Sequence, residues 1–238
     1  MRRIAAALAL GCALAAHASS LQISPVTVEL APGQGAAALM LRNPGKEIIY
    51  GQVRVFRWDQ TVDDDRLEPS EDLLASPPLI RIAPQGEQLV RLVRRAGMDA
   101  AGELTYRVLV DEVPGLDATP GNGVNIRLRY SVPVFVEPPG APAAPRLTWE
   151  LRREGTQWWL RVANTGGRRA QLAAVRVVTA DGAEHVVNPG LLGYVLAGRT
   201  RQWTIALDQD VAARAPLKIR TNINAQPTET ELSLPSRP

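Results

Sequence analysis

The chain has 238 residues, 27 of them basic and 24 acidic, and 45% of it is hydrophobic. That is apolar material enough for a packed core, which excludes global disorder, and the length suits one large or two ordinary domains. One cysteine, Cys12, excludes a disulfide framework or a thiolate metal cluster within the chain.

Arg2 and Arg3 precede an apolar run over residues 4–16, and Ala16-His17-Ala18 then supplies an A-x-A cleavage pattern. This is the layout of a secretory signal peptide, with cleavage expected after Ala18 and Ser20 as second choice. The apolar run is too short to cross a bilayer, so no membrane insertion is expected. Residue Ala9 at position −3 to Cys12 argues against a lipoprotein signal. Loss of Arg2 and Arg3 leaves 25 basic against 24 acidic residues, without a block of like charge, and nothing points to nucleic acid.

Beyond the leader the periodicity is that of strands. Residues 51–58, 87–93 and 104–110 mix β-branched and aromatic side chains with polar ones, and no stretch keeps helical spacing for three turns. Turn signals punctuate them: Pro32-Gly33, Asn43-Pro44-Gly45, Pro84-Gln85-Gly86, Pro114-Gly115 and Pro120-Gly121. Short strands so punctuated imply an all-β sandwich or barrel.

Residues 124–136 form a longer segment. Val124, Ile126, Leu128 and Tyr130 alternate with Asn125, Arg127, Arg129 and Ser131, and Pro133 lies inside it. Proline cannot donate to a ladder, so this strand belongs at an edge or carries a bulge there. A long edge strand with an apolar face invites pairing with another chain. The same alternation also fits an ordinary sandwich strand whose apolar face is core.

Residues 138–145 hold four prolines and a glycine, which read as a semi-rigid linker. The expected division is a signal peptide over 1–18, a domain over 19–137, a linker over 138–145 and a second domain over 146–238. Strand patterning resumes after the linker, interrupted by the turn Asn164-Thr165-Gly166-Gly167. Trp149, Trp158, Trp159 and Trp203 read as core anchors rather than sugar or base platforms. Neighbours Trp158 and Trp159 point to opposite faces of a strand, so one of them is partly exposed.

Catalytic chemistry is thin. His185 is the one histidine beyond the leader, which leaves no conventional triad or His/Cys metal site. No glycine-rich phosphate loop is present, and the run Asp63-Asp64-Asp65 reads as a solvated turn. The balance favours binding over catalysis, with no enzyme activity and no cofactor expected.

Several segments, in order, resemble periplasmic pilus-assembly chaperones of the chaperone–usher pathway, the PapD-like family. They are residues 23–30 (ISPVTVEL), residues 76–92 (SPPLIRIAPQGEQLVRL), residues 106–114 (YRVLVDEVP), residues 162–166 (VANTG) and residues 193–198 (GYVLAG). The resemblance runs from about Leu21 to about Asn224. It implies two immunoglobulin-like β-sandwich domains set at an angle, like a boomerang, and a periplasmic location. It implies pilus or fimbrial subunits and an outer-membrane usher as partners. It also implies that the last strand of the first domain completes an unfinished subunit sandwich by β-strand addition. Val124, Ile126 and Leu128, with Tyr130 beside them, are then the residues that enter subunit pockets. Self-association of the free protein through that edge is a further implication.

Two positions depart from the family pattern. The basic residues that hold the subunit's C-terminal carboxylate in many members correspond to Thr27 and Pro133, and neither is a cation. The arginine that precedes the linker proline in many members is Glu137. The segment Arg129-Tyr-Ser-Val-Pro-Val-Phe-Val136 resembles the archaic branch, which includes spore-coat-U-type pili. Arg91 is the first candidate for the displaced anchor and Arg129 the second, because a guanidinium suits bidentate carboxylate binding. The alternative from another class is an extracellular two-domain immunoglobulin-like adhesion or carbohydrate-binding protein. Such a protein has no need of a proline-marked apolar edge strand.

Overall fold

The computed structural model describes residues 21–95, 102–114, 127–140, 142–208 and 210–234. Among these, ten strands precede the proline-rich segment 138–145: β1 (Gln22–Ser24), β2 (Val28–Leu30), β3 (Ala36–Arg42), β4 (Ile49–Gln60), β5 (Asp65–Pro69), β6 (Leu73–Ser76), β7 (Leu79–Ile82), β8 (Glu87–Arg94), β9 (Leu104–Val113) and β10 (Arg129–Val136). Seven follow it: β11 (Leu147–Glu154), β12 (Gln157–Asn164), β13 (Ala170–Val178), β14 (Glu184–Val195), β15 (Thr200–Ile205), β16 (Leu217–Ile223) and β17 (Gln226–Leu232). A single 3₁₀ turn, Val211–Arg214, precedes β16.

The first unit packs the sheet β1-β3-β8-β6 against the sheet β2-β10-β9-β4-β5, with β7 also paired to β4. Alternation explains the arrangement. In β8, Val90 and Leu92 are buried while Leu89, Arg91 and Val93 face outward. In β9, Tyr106, Val108 and Val110 turn into the same core, joined by Val132 and Val134 of β10. The second unit packs β11-β12-β15 against β14-β13-β16-β17 around Leu151, Leu160, Val162, Leu172 and Ile219. Trp149 and Trp158 are buried there, whereas Trp159 and Trp203 are half-buried.

One device recurs in both units. Asn43, fully buried after β3, donates from its side chain to the carbonyls of Glu47 (2.7 Å) and Ile82 (3.1 Å) and accepts from the Gly45 N–H (2.9 Å). Asn164, at the end of β12, donates to the carbonyls of Arg168 (2.7 Å) and Val195 (3.1 Å) and accepts from the Gly166 N–H (2.9 Å). A short amide side chain thus replaces the backbone partners that the turn leaves without a ladder. Gly166 has no alternative, because a Cβ there would lie 2.2 Å from the Ala144 carbonyl oxygen. The end of the proline-rich segment is therefore seated on this turn, with the Thr165 N–H donating to Arg146 O at 2.9 Å.

The expected strands over 51–58, 87–93 and 104–110 fall within β4, β8 and β9. The expected long strand over 124–136 is shorter. Regular pairing begins at Arg129, preceded by one bond from the Glu112 N–H to the Leu128 carbonyl at 3.1 Å. Val124 and Ile126 lie outside the described residues.

Candidate functional site: an open strand edge beside an interdomain cleft

Strand β10 pairs along its whole length with β9, from Arg129 opposite Asp111 to Val136 opposite Leu104. On its other side β2 runs parallel to it only at Val134, Phe135 and Val136. Among the described residues, nothing pairs with that edge before Val134. The hydrogen-bond parity is set by two contacts: Leu128 O accepts from Glu112 of β9, and Glu137 N–H donates 2.9 Å to Leu30 of β2. Even-numbered residues therefore bond inward to β9. Odd-numbered Arg129, Ser131 and Pro133 turn their backbone groups to the open edge. Pro133 sits where its missing N–H costs the ladder nothing, as an edge proline must.

The side chains of β10 divide by the same parity. Val132, Val134 and Val136 fill the core of their own domain, and Tyr130 packs against it half-buried. Burial raises the Tyr130 hydroxyl pKa, with the nearby Glu112 carboxylate adding to it. Leu128 continues the apolar row past the end of the sandwich and is exposed. An apolar row that outruns its own core is what strand addition needs.

On the opposite face of this sheet, Phe135 of β10, Glu29 of β2 and Thr27 just before it line a cleft shared with Arg168, Arg169 and Tyr194 of the second unit. Phe135 meets Trp58 of β4 and Tyr194 after centroid separations of 6.0 and 5.8 Å, and Leu196 completes this buried cluster. Gln60 clamps the two units together. Its side-chain N–H donates to Tyr194 O at 3.0 Å and its oxygen accepts from the Leu196 N–H at 2.9 Å. Arg169 lies over the Phe135 ring, 3.6 Å from its centroid, and bonds closely to both Glu29 and Glu103. Arg168 pairs closely with Glu137, so the acid in place of the family's arginine has its cation on the other unit. The acidic run 63–65 is exposed, as a solvated turn is, and it also makes contacts: Asp63 accepts from Gln202 across the boundary at 2.8 Å, and Asp65 meets Arg107 of β9.

The expected anchor residues separate. Arg129 stands at the open end of β10, exposed and closely paired with Asp111, which also accepts from Arg54 at 2.7 Å. Burial opposes ionisation of Asp111, but these two guanidinium groups hold its carboxyl below the ordinary value. Arg91 is on β8, outward from the other sheet, opposite Ala38 of β3 and Ser76 of β6. It is not brought together with Arg129 or with β10. The sequence reading missed a third cation, Arg107, which is the direct cross-strand neighbour of Pro133. Its guanidinium lies 3.7 Å from the centroid of the Trp58 ring, and burial lowers its pKa. The available signal was a lone arginine in the otherwise apolar run Tyr106-Arg-Val-Leu-Val110.

Residues 20–142 match the family model of the pili and flagellar-assembly chaperone, PapD N-terminal domain. The chain belongs to this family. The chaperone also shares its fold over nearly its whole length with solved structures. One is a chain of the CsuC–CsuE chaperone–tip adhesion subunit pre-assembly complex from archaic chaperone–usher Csu pili of Acinetobacter baumannii, at 23% identity over 92% of this chain and 100% of that one, with a TM-score of 0.70. Another is from the complex of Salmonella enterica SafA pilin with the SafB chaperone, at 20% identity over 90% and 97% of the two chains, with a TM-score of 0.64. A third is the E. coli chaperone DraB, at 20% identity over 91% and 97%, with a TM-score of 0.62. A comparison with curated proteins found no match. The fold class expected from sequence, two immunoglobulin-like sandwiches, is the one these chaperones have. Family and fold are those of non-enzymatic pilus chaperones, and pilus chaperones of the chaperone–usher pathway are periplasmic.

Proposed function

We propose that the chaperone binds pilus or fimbrial subunits through the open edge of β10, completes their unfinished sandwich by strand addition, and delivers them to an outer-membrane usher. The observation that carries this reading is the unpaired edge before Val134, with an apolar row that continues outward through Leu128. Val124, Ile126 and Leu128 are the pocket-filling residues in this reading, and Tyr130 is the junction between the subunit's core and the chaperone's own. Each fully buried aliphatic side chain contributes roughly 1.5–3 kcal/mol. The family and the similarity to a Csu-pilus chaperone complex support the archaic branch.

The anchor for the subunit's carboxylate is Arg107 in this reading, with Arg129 as the second cation on the same face. Arg107 neighbours Pro133, one of the two positions at which relatives carry the anchor, and it is shielded enough for a charge-assisted bond to be strong. Delivery needs a second surface that a bound subunit leaves free. The outward face of β3, β8 and β6, where exposed Leu74, Leu89 and Val93 surround Arg91, suits an usher. The division into signal peptide 1–18, subunit-binding domain 19–137, linker 138–145 and second domain 146–238 belongs to the same reading. So do export to the periplasm and a purely non-catalytic role. The break between β10 and β11, over residues 137–146, supports the boundary.

The test is co-purification from periplasm with a candidate subunit encoded beside this chain, comparing wild type with Ile126→Asp and Leu128→Asp. Wild type should yield a soluble stoichiometric complex, and folded variants should lose it. Folded variants that keep the subunit would refute the strand assignment.

A further inference from the structure

The arginines at the domain boundary are not equally neutralised. Arg169 is held between two carboxylates and Arg168 and Arg199 each close tightly on one. Among the described residues the one carboxylate paired with Arg107 is that of Asp65, at 3.5 Å, and it is itself partly exposed. A guanidinium carries five N–H donors. Among the described residues only one of Arg107's is used.

Its direction is informative. Arg107 sits on β9, next to β10, yet its head lies over Trp58 of β4 and touches Asp65 of β5. With strands about 4.8 Å apart, the side chain leans across β4 and away from the edge that receives a subunit. Asp65 is held in place independently of Arg107. Its other oxygen accepts from the Gln60 side chain at 3.0 Å, and Gln60 is fixed by Tyr194 and Leu196 of the second unit.

We propose that Asp65 is a built-in stand-in for the subunit's terminal carboxylate: it parks the Arg107 guanidinium across Trp58 in the free chaperone and retakes it when the subunit leaves. This rests on the reading of Arg107 as the anchor. An exposed carboxylate in a single long contact is a weak competitor, and a bidentate carboxylate arriving along β10 displaces it. Its persistence beside Arg107 makes capture reversible, which a carrier requires. Asp65 is thus a positioning residue that acts through Arg107.

The experiment uses an acetylated peptide of alternating valine and threonine, with a free C-terminal carboxylate, and its amidated twin. Binding is read from the ¹⁵N shift of the Trp58 indole N–H, which is buried beneath Arg107 and has no hydrogen-bond partner among the described residues. Wild type should bind the acid peptide more tightly than the amide. Asp65→Asn should bind the acid about two- to fivefold more tightly than wild type does, with the amide unchanged. Asp65→Ser should reproduce this, and Arg107→Gln should abolish the acid–amide difference. If both Asp65 variants, folded by thermal melt, leave acid binding unchanged or weaken it while wild type still prefers the acid, Asp65 is no competitor and Arg107 remains the anchor. If neither wild type nor the Asp65 variants distinguish acid from amide, or the acid peptide causes no shift, the anchor reading fails and this proposal with it.

Discussion

Two asparagines show how much one side chain decides. Asn43 and Asn164 each spend a buried amide on closing a turn and tying it to a neighbouring strand. Alanine at either position leaves carbonyl and N–H groups without partners, a cost of about 1–3 kcal/mol for each buried group. Asn43→Ala is therefore expected to lower the urea midpoint with an unchanged slope, and Asn43→Asp to do so as well, since a carboxylate cannot donate to Ile82 O. A midpoint equal to wild type would show that water replaces the amide. The turns themselves were legible as Asn-Pro-Gly and Asn-Thr-Gly. Arg107 was not, because alternation in β9 tells which face a residue takes but not what stands two strands away.

At the scale of the element, the two ends of the larger sheet are treated differently. Strand β5 is exposed along its length and carries Asp65, Arg66 and Glu68, charges that discourage pairing. Strand β10 presents Arg129, Ser131 and Pro133 at its open edge, and of these only Arg129 is charged. Because the Ser131 N–H points outward by parity, Ser131→Pro removes a donor from the open edge and none from the β9 ladder. The variant should keep its melting temperature but bind a subunit about two- to tenfold more weakly, as the loss of one hydrogen bond of about 0.5–1.5 kcal/mol requires. Val132→Pro, one residue on, should destabilise the domain itself. Equal effects at both positions in a melting and binding comparison would overturn the parity. The edge position of this strand was readable from Pro133. Its start at Arg129, opposite Asp111 although β9 runs on to Val113, was not.

At the scale of the whole molecule, the two sandwiches meet through the Trp58–Phe135–Tyr194 cluster, the Gln60 clamp and charged pairs. Gln60→Ala should loosen that contact while leaving each core intact. Small-angle scattering would then show a broader distribution of shapes, and an unchanged profile would assign the orientation to the aromatic cluster alone. Acid acts on the same boundary. The Arg199 hydrogen bond holds the Asp59 carboxyl below its ordinary value, against opposition from burial. A depressed folded pKa contributes stability that is complete above the unfolded value, about 3.9, and is lost as pH falls through the lower folded value. The pair is half-exposed, so its share is at most about 1 kcal/mol. Melts should show Asp59→Asn closing part of its gap to wild type below about pH 4, and a gap constant with pH would exclude the linkage.

The sequence alone carried the all-β class, the turns at Pro32-Gly33, Asn43-Pro44-Gly45, Pro84-Gln85-Gly86 and Asn164-Thr165-Gly166, the edge character of the strand with Pro133, and the division of Trp158 and Trp159 between two faces, whereas which of the two is buried came from the fold. Those features follow from period-two alternation and from residues whose backbone or hydrogen-bonding limits act locally. It took the fold to place Arg91 and β10 in opposite sheets, to give Glu137 its cation on Arg168, and to bring Arg107 to Asp65 across Trp58. Such pairings join residues far apart in the chain, and their partners are set by sheet order and by the meeting of two domains rather than by spacing.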